Sequence, residues 1–437
     1  MTHYLFTEWD GGGSLPPELT LIRKLIAAGS TVTVLGDPVI EPEVRAVGVK
    51  DFRPWVDAPH HVTRRAEDDY IADWKLRSPA TVLANLMDTL MVKPAPRFAA
   101  ETLAAIDDVR PDVVASSFPL LGALIAAESR GVPCAALVPN IVALPAEGMP
   151  PYGTGWPPGK GPLGKIRDRA VNALVDRWWN RGLPELNAAR AALGLAPLGR
   201  LLAQYERAER VLALTSQSFD FPAALPANVR YVGPQLDDPS WAAPWTPSVV
   251  DDRPFVLVAM STTFMDHVEQ LQRATTALAS LSVRGLVTTG PPIDPEQISA
   301  PDGVTVVRSA PHAEVLPHAD VLVTHGGHGT VMKGLAAGVP MVVLPTGRDQ
   351  PDNAARVVHL GAGVRLPKEA SAAKVADAIR KVLADPSYRA AAARVGKQLR
   401  AEAASGTAVS ELEALVRPAR EAMPATPAMH ARRRVLG

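Results

Sequence analysis

A run of histidine and glycine residues after an apolar strand is the strongest chemical signal in the sequence. The segment reads ADVLVTHGGHGTVMKGLAAGVP, in which a buried strand is expected to end at His325 and a helix to begin at Thr330. The glycines let the backbone turn sharply, so free N–H groups and the positive end of the helix dipole face one spot. Thr330 is expected to cap the helix and to offer its hydroxyl there. This pattern predicts an anion site, although a glycine turn needed only for packing would have the same spacing.

The two histidines of this segment also raise the question of a zinc site. No cysteine accompanies His325 and His328, the residues between them are glycines, and a third ligand would have to come from elsewhere in the chain. The sequence therefore favours an anion site over a metal site.

Two other predicted strand-to-helix loops carry groups that suit a nucleotide sugar. Ser261 and Thr262 follow the first strand of the second half, and Asp349 and Gln350 follow a later strand. Because ligands of parallel sheets bind at the carboxyl ends of the strands, we expect these loops to lie beside the glycine turn. The hydroxyls suit a phosphate, and the carboxylate and amide suit the vicinal hydroxyls of a sugar. Each loop could equally be only a helix start, with Asp352 as the cap of the later helix.

The elements that must position these loops are two successive sets of short apolar strands alternating with helical patterns. In the first half, strands are expected at residues 4–7, 31–35, 113–116, 135–138 and 211–215, with a helix over 17–28. In the second half, strands are expected at 255–260, 284–288, 305–307, 321–324 and 341–344, with helices near 267–281, 330–337, 352–360 and 372–383. This rhythm predicts an α/β fold with two doubly wound, Rossmann-like domains facing each other across a cleft.

The domain boundaries follow from breaks in this rhythm. We expect a first domain at residues 1–230, a linker rich in proline and aspartate at 231–253, a second domain at 254–416 and a disordered basic tail at 417–437. A long irregular stretch at 140–182, helical from Ile166 onward, carries several aromatic residues among prolines and glycines. A loop of that length predicts part of a binding site.

The amino-acid composition excludes several classes of binding partner. The 45 Lys plus Arg residues are balanced by 45 Asp plus Glu, so there is no broad field to attract nucleic acid or an anionic membrane. No long apolar run suggests a spanning helix or a secretion signal. The single cysteine, Cys134, excludes an internal disulfide and is expected to be a buried strand residue. We expect a cytoplasmic protein with no stable membrane insertion and no nucleic-acid partner.

The second half resembles the UDP-glycosyltransferase family, also called glycosyltransferase family 1. The resemblance runs from Ala310-Pro311-His312 through VLPHAD, THGGHGT and GLAAGVPM to Asp349-Gln350 and Asn353. The HGGHGT form is closer to bacterial natural-product enzymes, including macrolide-type members, than to plant members. The resemblance implies a GT-B fold and an inverting, metal-independent transfer of a hexose from a UDP- or dTDP-linked sugar. The nucleotide sugar would be a co-substrate, and no other cofactor is implied.

The same resemblance assigns roles to donor-binding residues. His325 would contact the α-phosphate, the residues from Gly327 to Thr330 would hold the diphosphate, and Asp349 with Gln350 would bind sugar hydroxyls. The full donor-binding set is Ser261, Thr262, Ser309, Ala310, His312, His325, Gly327, His328, Gly329, Thr330, Asp349 and Gln350. Many plant members carry a tryptophan where Ser309 stands, beside the nucleobase, so its absence leaves uracil and thymine open.

The first half departs from the family where the proton acceptor is expected. Family members usually have a histidine as general base after the first strand and an aspartate on a later strand end that orients it. The matching residues here are Ser14 and Ser116. A serine cannot accept a proton as an imidazole does, so Asp10 or Glu8 is expected to be the base if burial raises its pKa, with Asp10 favoured because it lies nearer the helix start. Ser14 could instead only position an acceptor that is already acidic, such as a phenol.

The acceptor is expected to be a small hydrophobic molecule such as a polyketide, macrolide, flavonoid or other phenol. Tyr152, Trp156 and Trp9 are the expected acceptor-binding residues, whereas His60 and His61 are expected to be solvated. The protein is expected to be a monomer or a homodimer.

Two other functions stay open. The paired serines are compatible with a catalytically weak helper or binding protein built on a GT-B fold. An NAD(P)-dependent oxidoreductase is suggested by the glycines after the first strand, although the G-x-G-x-x-G pattern is missing there.

Overall fold

Two parallel β-sheets, each wrapped by helices, form the computed structural model of this chain, which describes residues 1–76, 78–246 and 251–416. The predicted fold of two doubly wound domains is confirmed. The disorder expected at residues 417–437 lies outside the described residues.

The first sheet is parallel throughout and has the strand order β3-β2-β1-β4-β5-β6-β7. Its strands are β1 His3–Thr7, β2 Thr31–Gly36, β3 Asp51–Pro54, β4 Val113–Ser117, β5 Cys134–Val138, β6 Arg210–Ala213 and β7 Val229–Tyr231. Its helices are α1 Leu15–Ala27, α2 Glu41–Ala46, α3 Pro79–Leu86, α4 Ala95–Val109, α5 Leu121–Arg130, α6 Gly161–Trp179, α7 Leu183–Ala192 and α8 Gln204–Arg207. The sequence pattern missed β3 and β7, because these edge strands are short and carry charged residues instead of an apolar run.

The second sheet is also parallel and has the order β10-β9-β8-β11-β12-β13. Its strands are β8 Phe255–Ala259, β9 Arg284–Thr288, β10 Val304–Val307, β11 Val321–Thr324, β12 Met341–Val343 and β13 Gly363–Arg365. The helices that follow are α9 Val268–Leu278, α10 His312–Val315, α11 His328–Ala336, α12 Gln350–His359, α13 Ala372–Ala384, α14 Pro386–Ala404 and α15 Thr407–Glu413.

The central strands are buried on both faces, which explains why they read as continuous apolar runs. In β1, Leu5 packs into one hydrophobic cluster while Tyr4 and Phe6 pack into another on the opposite face of the sheet. Cys134 at the start of β5 is buried as predicted, and burial raises the pKa of its thiol. Among the described helices, none is long and apolar enough to cross a membrane.

Two helices begin earlier than the sequence pattern predicts. Helix α6 begins at Gly161 instead of Ile166, and α11 begins at His328 instead of Thr330. Gly327 occupies the capping position of α11 without any side-chain cap, so the expectation that Thr330 caps this helix is wrong. Thr330 lies inside the first turn, where its own N–H belongs to the set of free helix N-terminal donors.

The end of the described chain returns to the first domain. Helix α15 contributes Ala408 and Leu412 to the hydrophobic cluster that also contains Leu21 and Leu25 of α1. The expected second domain at residues 254–416 therefore includes a segment, from Thr407 onward, that packs with the first domain. This crossing lies beyond the reach of a periodicity argument, because an amphipathic helix does not indicate which sheet it covers.

Candidate active site

Three loops meet at one edge of the second sheet because the strands before them are adjacent. The register pairs Ala259 of β8 with Thr324 of β11, and Thr324 with Val343 of β12, so these strands end level with one another. The loops that begin with Ser261, His325 and Thr346 consequently lie side by side, as the sequence predicted.

A buried amide locks two of these loops together. The Asn353 Nδ2 donates to the carbonyl oxygen of Gly326 at 2.9 Å and to Asp349 Oδ2 at 2.8 Å. Asn353 is fully buried, and it joins the glycine turn after β11 to the start of α12. The expected phosphate and sugar positions are thus held in one fixed frame.

Glycine is needed for a different physical reason at each of three positions in the turn after β11. Gly326 has a φ of 91°, in the left-handed region that favours glycine. A Cβ at Gly327 would lie 2.5 Å from His325 Nε2, so the imidazole packs directly on the backbone there. A Cβ at Gly329 would meet no atom within 4 Å, which leaves room beside the first turn of α11. The turn therefore presents backbone N–H groups to an open position, the geometry that an anion requires.

The histidines around this turn are neutral imidazoles in the folded protein. Burial, together with the neighbouring His267, lowers the pKa of His325 to about 3, and burial lowers the pKa of His328 to about 4. They can serve as hydrogen-bond donors but not as cations at neutral pH. The His328 ring packs against Phe219 of the first domain, with ring centroids 6.0 Å apart. Among the described residues, no group of three or more His, Cys, Asp or Glu side chains is arranged to hold a metal ion.

The segment expected along the nucleobase is partly covered by the interdomain linker. Ser309 Oγ accepts a hydrogen bond from the Ala243 N–H at 3.2 Å, and Ala310 is buried in the core of the second domain. His312 begins α10, where burial and the Lys333 ammonium lower its pKa to about 4. The linker residues near Ala243 are therefore neighbours of this segment that the sequence analysis did not include.

The loop after β12 is held in place by hydrogen bonds to one of the two expected sugar-binding residues, Asp349 and Gln350. Gln350 Oε1 accepts hydrogen bonds from the N–H groups of Thr346 at 2.7 Å and Gly347 at 3.1 Å. Asp349 occupies the capping position of α12, and burial raises its pKa. Asp352 does not cap this helix; its oxygens accept the N–H groups of two residues near Tyr152, namely Gly153 at 2.6 Å and Gly155 at 2.8 Å.

The glycine loop of the first domain packs directly on the donor loop of the second. Gly12 has a φ of 65°, and a Cβ there would overlap Thr263 Cγ2, while a Cβ at Gly13 would lie 3.6 Å from Thr262 Oγ1. Ser14 follows at the capping position of α1, but its hydroxyl makes no capping bond to the helix. The glycines after β1 therefore permit close approach of the two domains. This packing role explains the glycines without the dinucleotide site that an oxidoreductase would have there.

Asp10 lies at the base of this loop in a network of charges. Arg64 Nε donates to Asp10 Oδ2 at 2.6 Å, and the Gly12 N–H donates to Asp10 Oδ1 at 3.2 Å. The buried Asp37 accepts the Asp10 N–H at 3.0 Å and a ring N–H of His61 at 3.0 Å. Both carboxylate oxygens of Asp10 are thus already engaged.

His61 was expected to be solvated, but it is buried. Only 8% of the residue is exposed, and its ring lies between two carboxylates. Burial opposes its charged form, but the hydrogen bonds to Asp37 and Asp69 raise the pKa of His61 to about 9. His60 is half-buried, with its Nδ1 2.8 Å from the carbonyl oxygen of Ala58. The side-chain pattern gave no signal for the His61 pairing, because Asp37 lies on the neighbouring strand end.

Glu8 forms a buried carboxyl pair with Glu18 of α1. Ser117 Oγ lies 2.8 Å from Glu8 Oε2 and 2.7 Å from Glu18 Oε2. Burial raises the pKa of Glu8 and raises that of Glu18 well above its usual range. Since one hydroxyl has one proton to donate, a protonated carboxyl group satisfies the second contact.

Ser116, the serine expected at the orienting position, faces the other side of the sheet. Its hydroxyl accepts from Thr7 Oγ1 at 2.7 Å and is buried. Ser117 points toward the carboxyl pair because successive strand side chains alternate between faces. The serine that contacts Glu8 is thus Ser117, one residue after the predicted Ser116. Glu18 was not predicted, because in the sequence it is simply an acidic residue in the first turn of a helix.

A cavity lies between the domains, next to the expected sugar-binding pair. Its lining is Ile141, Val142, Ala143, Leu144, Pro145, Met149, Pro150, Tyr152, Asn172, Val175, Asp352 and Arg356. Burial raises the pKa of Tyr152 well above its ordinary value, and the nearby Asp349 and Asp352 add to this shift. Of the three expected acceptor-binding residues, only Tyr152 lines this cavity. Trp156 is 39% exposed with the Arg167 guanidinium 4.9 Å from its ring, and Trp9 packs on the core of the first domain.

Ion pairs and aromatic contacts hold the two domains together around the cleft. Arg348, at a φ of 54°, binds both oxygens of Asp73 at 2.6 and 2.8 Å. The Trp74 ring meets Phe264 edge-on at 5.1 Å. Such contacts join residues far apart in sequence, so nothing in the local pattern indicated them.

Known proteins are similar to this chain in both sequence and fold. Residues 286–415 match the family described as Erythromycin biosynthesis protein CIII-like, C-terminal domain. The chain is 30% identical over 416 residues to the 4'-demethylrebeccamycin synthase of Lentzea aerocolonigenes, covering 93% of this chain and 97% of that protein. The crystal structure of the glycotransferase of kitacinnamycin matches with a TM-score of 0.73 at 23% identity, over 95% of this chain and 99% of that one. A spinosyn rhamnosyltransferase complexed with thymidine diphosphate matches with a TM-score of 0.65 at 20% identity, over 94% and 100%. The chain therefore belongs to the UDP-glycosyltransferase family and is a glycosyltransferase with the GT-B fold of natural-product enzymes.

Proposed function

We propose that this glycosyltransferase moves a hexose, with inversion, from a UDP- or dTDP-linked sugar to a hydroxyl of a small hydrophobic acceptor. The observation that carries the proposal is the meeting of the loops after β8, β11 and β12 at one sheet edge, facing the glycine loop of the first domain. The thymidine diphosphate bound by the spinosyn rhamnosyltransferase supports a dTDP-linked donor. The similarity to the 4'-demethylrebeccamycin synthase supports a natural-product acceptor.

In this proposal the donor diphosphate lies beside the glycine turn at the N-terminus of α11. Negative charge grows on the leaving diphosphate as the bond to the anomeric carbon breaks. The backbone N–H groups from Gly327 to Thr330, the helix dipole and the His325 imidazole stabilise that charge without a metal ion. Asp349 and Gln350, at the start of the neighbouring helix, bind the sugar hydroxyls.

The acceptor occupies the cavity lined by Tyr152 and the residues of the irregular stretch, since most of that lining is apolar. We propose Asp10 as the group that removes the acceptor proton. Asp10 lies on the loop that packs against Thr262 and Thr263, whereas Glu8 is fully buried and held by Ser117. Transfer requires the proton to displace one of the hydrogen bonds that Asp10 accepts.

Incubation of the purified protein with UDP- and dTDP-hexoses and a panel of phenolic and polyketide acceptors tests the proposal. We expect a glycoside product detected by mass spectrometry, with an anomeric configuration opposite to that of the donor by NMR. A chelator should leave the rate unchanged. Saturating donor at 100 times its Kd should stabilise the protein by about 2.7 kcal/mol. Donor binding without any transfer would favour the helper-protein alternative, and a rate abolished by chelation would contradict the metal-independent mechanism.

A further inference from the structure

A fourth histidine, His267, lies among the donor loops, although the sequence analysis assigned it only to the start of a helix. It immediately precedes α9, which follows the loop after β8. The residue before it, Asp266, has a φ of 49°, an uncommon conformation for a residue other than glycine. The backbone therefore turns sharply to deliver this side chain to its position.

Contacts of α9 fix His267 beside the loops that surround His325. Gln270 Nε2 donates to the carbonyl oxygen of Leu344 at 2.7 Å, and Gln270 Oε1 accepts from Thr346 Oγ1 at 3.1 Å. These bonds tie the first turn of α9 to the loop after β12. His267 is close enough to His325 to lower the pKa of that imidazole.

The imidazole of His267 is buried with its hydrogen-bonding capacity unused. It is 2% exposed, and neither ring nitrogen has a partner among the described residues. Its ring does not cap α9 either. A neutral imidazole has one donor and one acceptor, and burying both without partners is unfavourable. Burial lowers the pKa of His267 to about 4, so the ring offers an N–H donor without a full positive charge.

We infer that His267 is a second imidazole ligand of the donor diphosphate, donating its ring N–H to a non-bridging phosphate oxygen alongside His325. A phosphate oxygen suits this position because it accepts several hydrogen bonds and carries the charge that strengthens them. The glycine turn then supplies backbone donors and the two imidazoles supply side-chain donors. The inference rests on the proposed function, since it requires the diphosphate to lie at this sheet edge.

Nucleotide binding by three variants tests the inference. His267→Phe keeps the ring volume and removes both nitrogens, whereas His267→Gln keeps an N–H donor. His318→Phe, at an exposed histidine of the same domain, is the matched control. Isothermal titration with UDP and with dTDP gives the Kd, and thermal unfolding without nucleotide gives the stability of each free variant.

We expect His267→Phe to raise the Kd for the nucleotide by about tenfold to a hundredfold, because it removes a hydrogen bond to a charged group. The Tm of the free protein should be unchanged or higher, because the substitution removes two unpaired buried nitrogens. His267→Gln should raise the Kd by about threefold, and His318→Phe should not change it. In ¹⁵N-histidine spectra of the wild type, the ring signals that disappear in His267→Phe should shift when UDP or dTDP is added.

Two results would overturn the inference alone, while leaving the proposed function intact. One is a wild-type Kd in His267→Phe. The other is a Tm that falls together with the affinity, since that pattern indicates a structural role for the ring. A wild-type protein that binds neither UDP nor dTDP would overturn the donor assignment itself, and the inference with it.

Discussion

The carboxyl edges of the two sheets differ in the charged groups that they carry. Around the turn after β11, the edge of the second sheet presents glycines, hydroxyls and neutral imidazoles, and burial lowers the pKa of His325 there to about 3. The edge of the first sheet carries a dense set of carboxylates, among them Glu8, Asp10 and Asp37, balanced by Arg64 and a charged His61. The same strand-and-helix architecture thus supports two different electrostatic environments a short distance apart.

This difference corresponds to the two demands of sugar transfer. The leaving diphosphate brings its own negative charge, so its site needs hydrogen-bond donors and no carboxylate in contact. The acceptor hydroxyl must lose a proton, so its site needs a basic oxygen or nitrogen that can give up an existing hydrogen bond to accept that proton. The zero net charge of the chain conceals this division, because the acids and bases balance over the whole molecule and not at each site.

The largest expected effect is at Asp10, because the contrast between the two edges places proton transfer at the first sheet. Asp10→Asn keeps the shape and one oxygen to accept from Arg64, loses the second acceptor that Gly12 uses, and cannot accept a proton. We expect kcat to fall by about 10²- to 10³-fold, in the range of general-base catalysis. Ser14→Ala, on the same loop, should lose less than about tenfold because its hydroxyl has no partner to orient. Steady-state rates with saturating donor measure both, and wild-type activity in Asp10→Asn would exclude this residue as the base.

A second variant pair tests the donor edge. In Gly327→Ala the new methyl group would meet His325 Nε2, so the imidazole must move away from the phosphate position. We expect kcat/KM for the donor to fall by about 10²-fold, the usual cost of a displacement near 1 Å at a reacting centre. Gly329→Ala places its methyl group in the open space assigned to the diphosphate, so it should leave the free protein folded but weaken donor binding. If both variants lose donor affinity only slightly, the turn does not position His325 for the diphosphate.

The donor edge could be predicted from sequence because its parts are local. His325, the glycines and Thr330 lie in one short segment, and the strand order brings the loops of Ser261 and Asp349 beside it. The errors at this edge concern helix starts, because His328 rather than Thr330 begins α11 and Asp349 rather than Asp352 occupies the capping position of α12. Short-range geometry fixes such a site once the strands are known.

The acceptor edge could not be predicted in the same way because its contacts are long-range. Glu8 and Ser117 are 109 residues apart, and Arg348 and Asp73 are 275 apart. Choosing Ser116 over Ser117 reversed the face of the sheet, an error that a shift of one strand position always produces. The pairing of His61 with Asp37 likewise depends on where the β2 and β3 loops meet, which no periodicity shows.

A smaller effect concerns stability at the carboxyl pair. Burial raises the pKa of both Glu8 and Glu18, so the folded protein binds protons that the unfolded chain has already released. Stability from this pair is therefore complete below the ordinary glutamate pKa and is lost as pH rises toward the raised values. Glu18→Gln removes one of the two groups and should flatten this decline.

Thermal unfolding between pH 5 and 8 checks this expectation. The Tm of Glu18→Gln minus that of the wild type should increase with pH, by a few degrees over the range, since about 1 kcal/mol shifts Tm by 2–4 °C in a domain of this size. Glu67→Gln, at an exposed glutamate, is the matched control. A Tm difference that stays constant with pH would show that the pair does not share a retained proton.

The smallest expected effect separates the cavity from the aromatic surface beside it. Trp156 is 39% exposed, packs with Arg167 and does not line the cavity, so Trp156→Ala should change the acceptor KM by less than about twofold. Val175→Ala, on α6, shortens a side chain that does line the cavity and should raise the acceptor KM by about fivefold, for roughly 1 kcal/mol of lost apolar contact. Aromatic content favours Trp156 as an acceptor-binding residue, whereas enclosure by several elements decides which side chains can contact an apolar acceptor. A larger effect at Trp156 than at Val175 would move the acceptor out of the cavity and onto the exposed surface formed by Trp156 and Arg167. The boundary between the donor edge and the acceptor edge would then have to be drawn differently.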